Sequence, residues 1–173
     1  MNTRNKRAVV RNVYNIILLL TISTFSVQAQ VNDFQIRKQV LRWNNIDSTY
    51  RFVNPKDSTE TYLHYLGIVR SRHGRTYKLM TSIWIWGLSH RSTTRLLIFN
   101  RNNQYIGNYY LGSIDNLPAK IKGNVLIFLN DRKNPDCDPK VFTRVSFAQG
   151  IPKQFFRKCK GPYGDIYSFE STK

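Results

Sequence analysis

The sequence predicts an all-β, mainly antiparallel fold: a meander of about eight strands forming a small barrel or a sandwich, with a place for one short N-terminal helix. Three observations predict it. From Tyr62 onward, short runs of β-branched and aromatic residues alternate with a period of two. Turn-forming pairs such as His73-Gly74 and Gln149-Gly150 punctuate those runs. The links lack a helical pattern of the dozen residues or so that a parallel crossover needs, so neighbouring strands are expected to pair antiparallel.

The N-terminus reads as an address. Arg4, Lys6, Arg7 and Arg11 form a positive stretch, Ile16 to Phe25 is apolar, and Ser26-Val27-Gln28-Ala29-Gln30 follows. A basic flank, a short apolar segment and a small-residue exit are the layout of a secretory signal, with cleavage expected between Ala29 and Gln30. The apolar run is about ten residues, against the roughly 20 that a spanning helix needs. Residues 1–29 are therefore read as a signal peptide and residues 30–173 as a single β-rich domain, with no transmembrane segment once the signal is removed. The four leader cations leave 23 basic against ten acidic residues in that domain, a net charge of +13. The basicity thus belongs to the domain itself.

Asn32-Asp33 is a potential cap for a helix over Phe34 to Trp43, where Ile36, Val40 and Trp43 share one face. A strand fits this stretch nearly as well, because Phe34, Ile36, Lys38 and Val40 alternate. Asn54 to Thr59 is a loop by composition. Tyr62 to Arg70 and Arg75 to Trp86 are expected to form a long hairpin around His73-Gly74, and Thr93 to Phe99 with Gln104 to Leu111 a second one around residues 100–103. Gly123-Asn124 opens a strand over Val125 to Leu129. Val141 to Phe147 and Ile151 to Lys158 are expected to form a third hairpin around Gln149-Gly150. Gly161 to Gly164 turns the chain into a last strand, Asp165 to Phe169.

Cys137 and Cys159 are the only cysteines. In an oxidising compartment they would pair, tying the Asn134 to Pro139 loop to the sheet. Closing a loop of about 22 residues is worth roughly 3 kcal/mol in the chain-entropy model. Their spacing matches no zinc or redox motif.

Candidate chemistry is sparse, and no catalytic residue, metal site or cofactor is assigned. Ser82 to Arg91 is the most distinctive stretch: on a strand, Trp84 and Trp86 share a face opposite Ile83 and Ile85. Large aromatics mostly drive burial, so packing both tryptophans into the core is the plainer expectation. The alternative is an open face whose flat aromatic surface suits a sugar ring, a lipid or a cation, with His90 and Arg91 at the strand end. Ser89 beside His90 is not a triad, because catalysis needs spatial convergence with an orienting acid. Asp131, Asp136 and Asp138 read as turn formers rather than calcium ligands, given the intervening Arg132, Lys133 and Lys140.

Positive charge crowds the hairpin turns: Arg70, Arg72 and Arg75 at the first, Arg91, Arg95 and Arg101 at the second, Lys153, Arg157, Lys158 and Lys160 at the third. Such a field attracts anions. The leading expectation is a secreted or periplasmic non-catalytic binding module for an anionic or amphipathic ligand, a glycan or a lipid. Trp84, Trp86, His90 and Arg91 would form the site, with Arg70, Arg72 and Arg75 as its electrostatic rim. Nucleic acid ranks low as a partner, because no recognition signature is present. One alternative is a cell-envelope interaction domain docking through a tyrosine face that includes Tyr105 and Tyr109. A hydrolase with an unmarked site is a further alternative.

Overall fold

A computed structural model describes residues 24–172, with side chains from residue 33 onward. The basic stretch and most of the apolar run of the expected signal lie outside the described residues, as do the side chains at the expected cleavage site. Helix α1 spans Thr24–Trp43. It begins ten residues before the expected start at Phe34, so Asn32 and Asp33 lie within it rather than capping it. Asp33 instead pairs with Arg37 one turn on, and Lys38 sits 5.7 Å from the Phe34 ring. Among the described residues no helix is long and apolar enough to cross a membrane.

Among the described residues, those up to Gln39 and those from Val40 onward belong to separate compact units. In the second unit ten strands follow: β1 (Ser48–Val53), β2 (Glu60–Arg70), β3 (Thr76–Trp86), β4 (Arg91–Asn100), β5 (Tyr105–Tyr110), β6 (Lys120–Lys122), β7 (Val125–Leu129), β8 (Phe142–Ser146), β9 (Gln154–Lys160) and β10 (Tyr163–Ser171). They build a seven-stranded sheet, ordered β1-β2-β3-β4-β5-β10-β9, and a three-stranded sheet, ordered β6-β7-β8. All pairings are antiparallel. The large sheet ends at β1 and β9 rather than closing on itself, so the fold is sandwich-like and not a barrel.

Alternation puts the core between the sheets. Tyr77 and Leu79 of β3, Leu96 and Ile98 of β4 and Tyr109 of β5 join Leu126 and Phe128 of β7, Val145 of β8 and Phe155 of β9 in one buried cluster. Its centre is aromatic: the Phe155 ring lies 5.2 Å from Phe128, 5.0 Å from Tyr109 and 5.3 Å from Tyr167. The opposite face of the large sheet also carries buried side chains, Leu63, Tyr65, Met80, Leu97 and Phe99. This sheet is thus apolar on both faces over its middle third.

All eight expected strands are present, and two more were not anticipated. β6 has three residues, too few to show periodicity. β1 is short and reads as mixed polar sequence, but it pairs along its whole length with the start of β2. The intervening Asn54 to Thr59 segment is their turn, held by the Ser58 N–H to the Asn54 carbonyl and the Thr59 N–H to Asp57.

The third expected hairpin does not form. β8 pairs with β7 in the small sheet, whereas β9 pairs with β10 in the large one. The Phe147 to Lys153 segment therefore crosses from one sheet to the other. Phe147 is fully buried in the shared core, so the chain is anchored there before it changes layer. The hairpin at this end is instead β9–β10, around Gly161-Pro162.

The expected tyrosine face is also absent. β4 and β5 slip register between Ile98 and Phe99, where Ile106 is the extra residue. One extra residue inverts the alternation beyond it. Tyr105 consequently lies beside Phe99 (5.6 Å), while Tyr109 points into the core and is fully buried. Glycine is required next to this bulge: a Cβ on Gly107 would stand 2.2 Å from the Glu170 carbonyl oxygen of the paired β10.

Cys137 and Cys159 are joined in a disulfide. It fastens the 131–141 loop to the end of β9, as expected. Backbone and amide bonds reinforce the junction: Asp138 N–H donates to the Cys159 carbonyl (3.0 Å), and Asn130 Nδ2 donates to both the Asp138 and Cys159 carbonyls. Asp131 and Asp138 act as turn formers, each accepting from a backbone N–H two residues on.

Candidate functional site

The β3–β4 hairpin overhangs the sheet. β2 pairs with β3 only as far as Ile85, and β5 pairs with β4 only from Arg95. Trp86 and Arg91 are the last cross-strand pair, and Gly87-Leu88-Ser89-His90 closes the hairpin. Gly87 (φ 71°) and His90 (φ 49°) both adopt the left-handed conformation, and the His90 N–H donates to the Gly87 carbonyl at 3.1 Å. That conformation costs glycine nothing and is uncommon for histidine, so His90 is a turn residue as well as a candidate contact.

The tryptophans are not core. Trp84 is 40% and Trp86 36% exposed, and Leu88 at the apex is entirely exposed. The two indoles stack on each other with centroids 5.7 Å apart and planes 26° apart. Arg91 lies 5.9 Å from the Trp86 ring, and the Trp86 indole N–H faces the Thr93 hydroxyl at 3.5 Å. Trp84, Trp86 and Arg91 are therefore one cluster, as the sequence suggests.

The three arginines expected as the rim of this cluster are elsewhere. Arg70, Arg72 and Arg75 are exposed around the β2–β3 turn, at the other end of β3. At about 3.3 Å per strand residue, Arg75 is roughly 30 Å from Trp84 along the strand. They form a separate basic end, not a rim for the tryptophans. Two are tied to the small-sheet region by their backbone: the Arg70 N–H donates to Asn124 Oδ1 and the Arg72 N–H to the Ala148 carbonyl. Arg157 also departs from expectation. It is 3% exposed, and its guanidinium donates to Asn116 Oδ1 (3.0 Å) and to the Asp115 carbonyl (2.9 Å). It clamps β9 to the 3-10 turn at Ile114–Asn116 and is not one of the surface cations.

Strand pairing assembles a second polar group that sequence reasoning missed. On the core-side face of β1 and β2, Arg51 donates two bonds to Glu60 (3.0 and 2.6 Å), and the Tyr62 hydroxyl donates to the same carboxylate at 2.6 Å. These bonds, Arg51 first and then Tyr62, hold the Glu60 carboxyl down to about 2. The nearby His90 adds a smaller effect of the same sign. One step along, His64 Nδ1 bonds Thr49 Oγ1 at 2.8 Å, and its Nε2 lies 3.8 Å from Asp47. A groove of about 160 Å³ runs past Tyr62, His64, Thr81 and Ile83 to Leu117-Pro118-Ala119. The available signal was the alternation of Glu60, Tyr62 and His64 on one strand, but its meaning depends on β1.

The groove holds a histidine and a tyrosine; of the two carboxylates near it, Glu60 is paired with Arg51 and Asp47 stands beside His64 at 3.8 Å. The geometry is an orienting network around Glu60, with a histidine held by Thr49 and flanked by an exposed carboxylate, Asp47, one step along. Among the described residues, no group of three or more His, Cys, Asp or Glu side chains is arranged to hold a metal ion. No family model, curated protein or solved structure matches this chain.

Proposed function

We propose that the protein is an exported, non-catalytic binding module that takes an anionic or amphipathic ligand at the tip of the β3–β4 hairpin. One observation carries the reading. Two stacked, partly exposed tryptophans, an arginine and a bare leucine gather at the end of the hairpin, although a buried position would favour the leucine alone by about 1.5–3 kcal/mol. Exposed apolar clusters of this kind on a folded domain mark interaction sites. Arg91 gives the cluster a cationic component, and the net charge of +13 over residues 30–173 favours anionic partners at long range. The disulfide and the signal-like N-terminus support export.

The test is a binding panel with acidic glycans and anionic vesicles, run with the wild type and a Trp84→Ala/Trp86→Ala variant. The side chains are exposed, so the variant should keep its thermal midpoint within a few degrees. Its affinity for whichever ligand the wild type takes should fall at least tenfold. Equal binding by both proteins would remove the hairpin tip from the function.

A further inference from the structure

We infer that the hairpin tip is a bilayer-surface anchor, and that its ligand is the interface of an anionic lipid membrane. This rests on the reading above and chooses between its ligand classes. A glycan platform needs aromatic faces turned outward. Here each indole gives a face to the other, Arg91 lies over the Trp86 ring, and the Trp86 N–H is directed to Thr93. What the tip leaves exposed is about two-fifths of each indole and an entirely exposed leucine side chain.

That arrangement fits the graded polarity of a bilayer. Tryptophan prefers the headgroup level, where an apolar body and a polar edge are both accommodated. Leu88, at the apex between Gly87 and Ser89, is placed to reach the acyl boundary ahead of the rings. Arg91, on the far strand opposite Trp86, is at the level of the lipid phosphates. The overhang matters, because β2 pairs no further than Ile85 and β5 no further than Arg95, which leaves Trp86, Leu88 and Arg91 without a flanking strand. The nearest carboxylate on the flanking strand, Glu60, is already held by Arg51 and Tyr62 and so opposes anionic lipid weakly. Arg95, further down β4 against Tyr110, adds a second cation on the same face of the sheet. Basic residues at a membrane surface strengthen such binding and make it salt-sensitive.

The experiment uses the full chain with vesicles of phosphatidylcholine containing phosphatidylglycerol, with and without brominated acyl chains. Wild type and Leu88→Asp are compared, so any contribution of the N-terminal apolar run is common to both. Tryptophan emission of the wild type should shift to the blue and be quenched by the brominated lipid. Both effects should shrink in high salt and in vesicles of phosphatidylcholine alone. In Leu88→Asp the quenching should fall at least fivefold, with an unchanged circular-dichroism spectrum. Trp43 is packed at 4.6 Å from Tyr50, so a Trp84→Phe/Trp86→Phe variant identifies its background. Absence of quenching alongside Trp84- and Trp86-dependent binding of a soluble acidic glycan would overturn the bilayer anchor and leave the binding module standing. Absence of any ligand dependent on those tryptophans would overturn both.

Discussion

Glu60 shows how a residue of ordinary type acquires its role from what the fold sets beside it. Its carboxylate receives two bonds from Arg51 and one from Tyr62, and its proton affinity falls until it titrates only at about 2. The folded state therefore holds Glu60 ionised through a range in which the unfolded chain begins to protonate it, near 4.5. The stabilisation is complete above that value and disappears as pH falls towards about 2. Glu60→Gln should accordingly melt below the wild type at neutral pH, and the gap should close as the melts are repeated at successively lower pH down to about 2. A gap that is constant with pH would mean the carboxylate contributes by shape alone. Arg157 makes the complementary point. A cation enters the interior because carbonyl and amide oxygens of two separate segments, the 115–116 turn and the end of β7, meet it there. Nothing in the local sequence distinguishes it from the exposed Lys158 that follows.

At the level of elements, periodicity reports a strand but not its partner. β3 and β4 were legible because both are long, rich in β-branched residues and separated by a short turn. β8 and β9 carry the same local signals, yet they lie in different sheets, because Phe147 is buried in the shared core before the chain can turn back. The bulge at Ile106 is a single-residue event whose result is to send Tyr105 and Tyr109 to opposite faces. The disulfide is an element-scale device too: it joins the irregular 131–141 loop to the last strand pair. Its reduction should cost about 3 kcal/mol, roughly a 10 °C drop in thermal midpoint for a domain of this size. Melting curves with and without reductant measure this, and coincident curves would show that the junction is held by Asn130 and the backbone bonds alone.

For the folded unit from Val40 onward, the aromatic cluster makes the two sheets one cooperative structure. Phe128 belongs to the small sheet and Phe155 to the large one, and their rings are 5.2 Å apart. Truncating either to Ala should cost about 3–5 kcal/mol. Because the two are in contact, the double variant should lose less than the sum of the singles. Urea unfolding followed by tryptophan fluorescence and by far-ultraviolet circular dichroism should give one coincident transition in each variant. Separate transitions would mean that the sheets fold independently.

The sequence by itself determined the fold class, eight of the ten strands, most of the turns and the cysteine pair. These depend on neighbours within a few residues: alternation, turn chemistry and a count of two. It also placed Trp84, Trp86 and Arg91 at one strand end, which is where they cluster. Tertiary structure alone decided that the tryptophans are exposed, that Arg70, Arg72 and Arg75 stand at the opposite end, and that Arg157 is buried. It also decided that Glu60 meets Arg51. Each of these depends on which strands lie side by side and where each strand stops. Those are properties of long-range pairing, set when two sheets compete to bury one aromatic core.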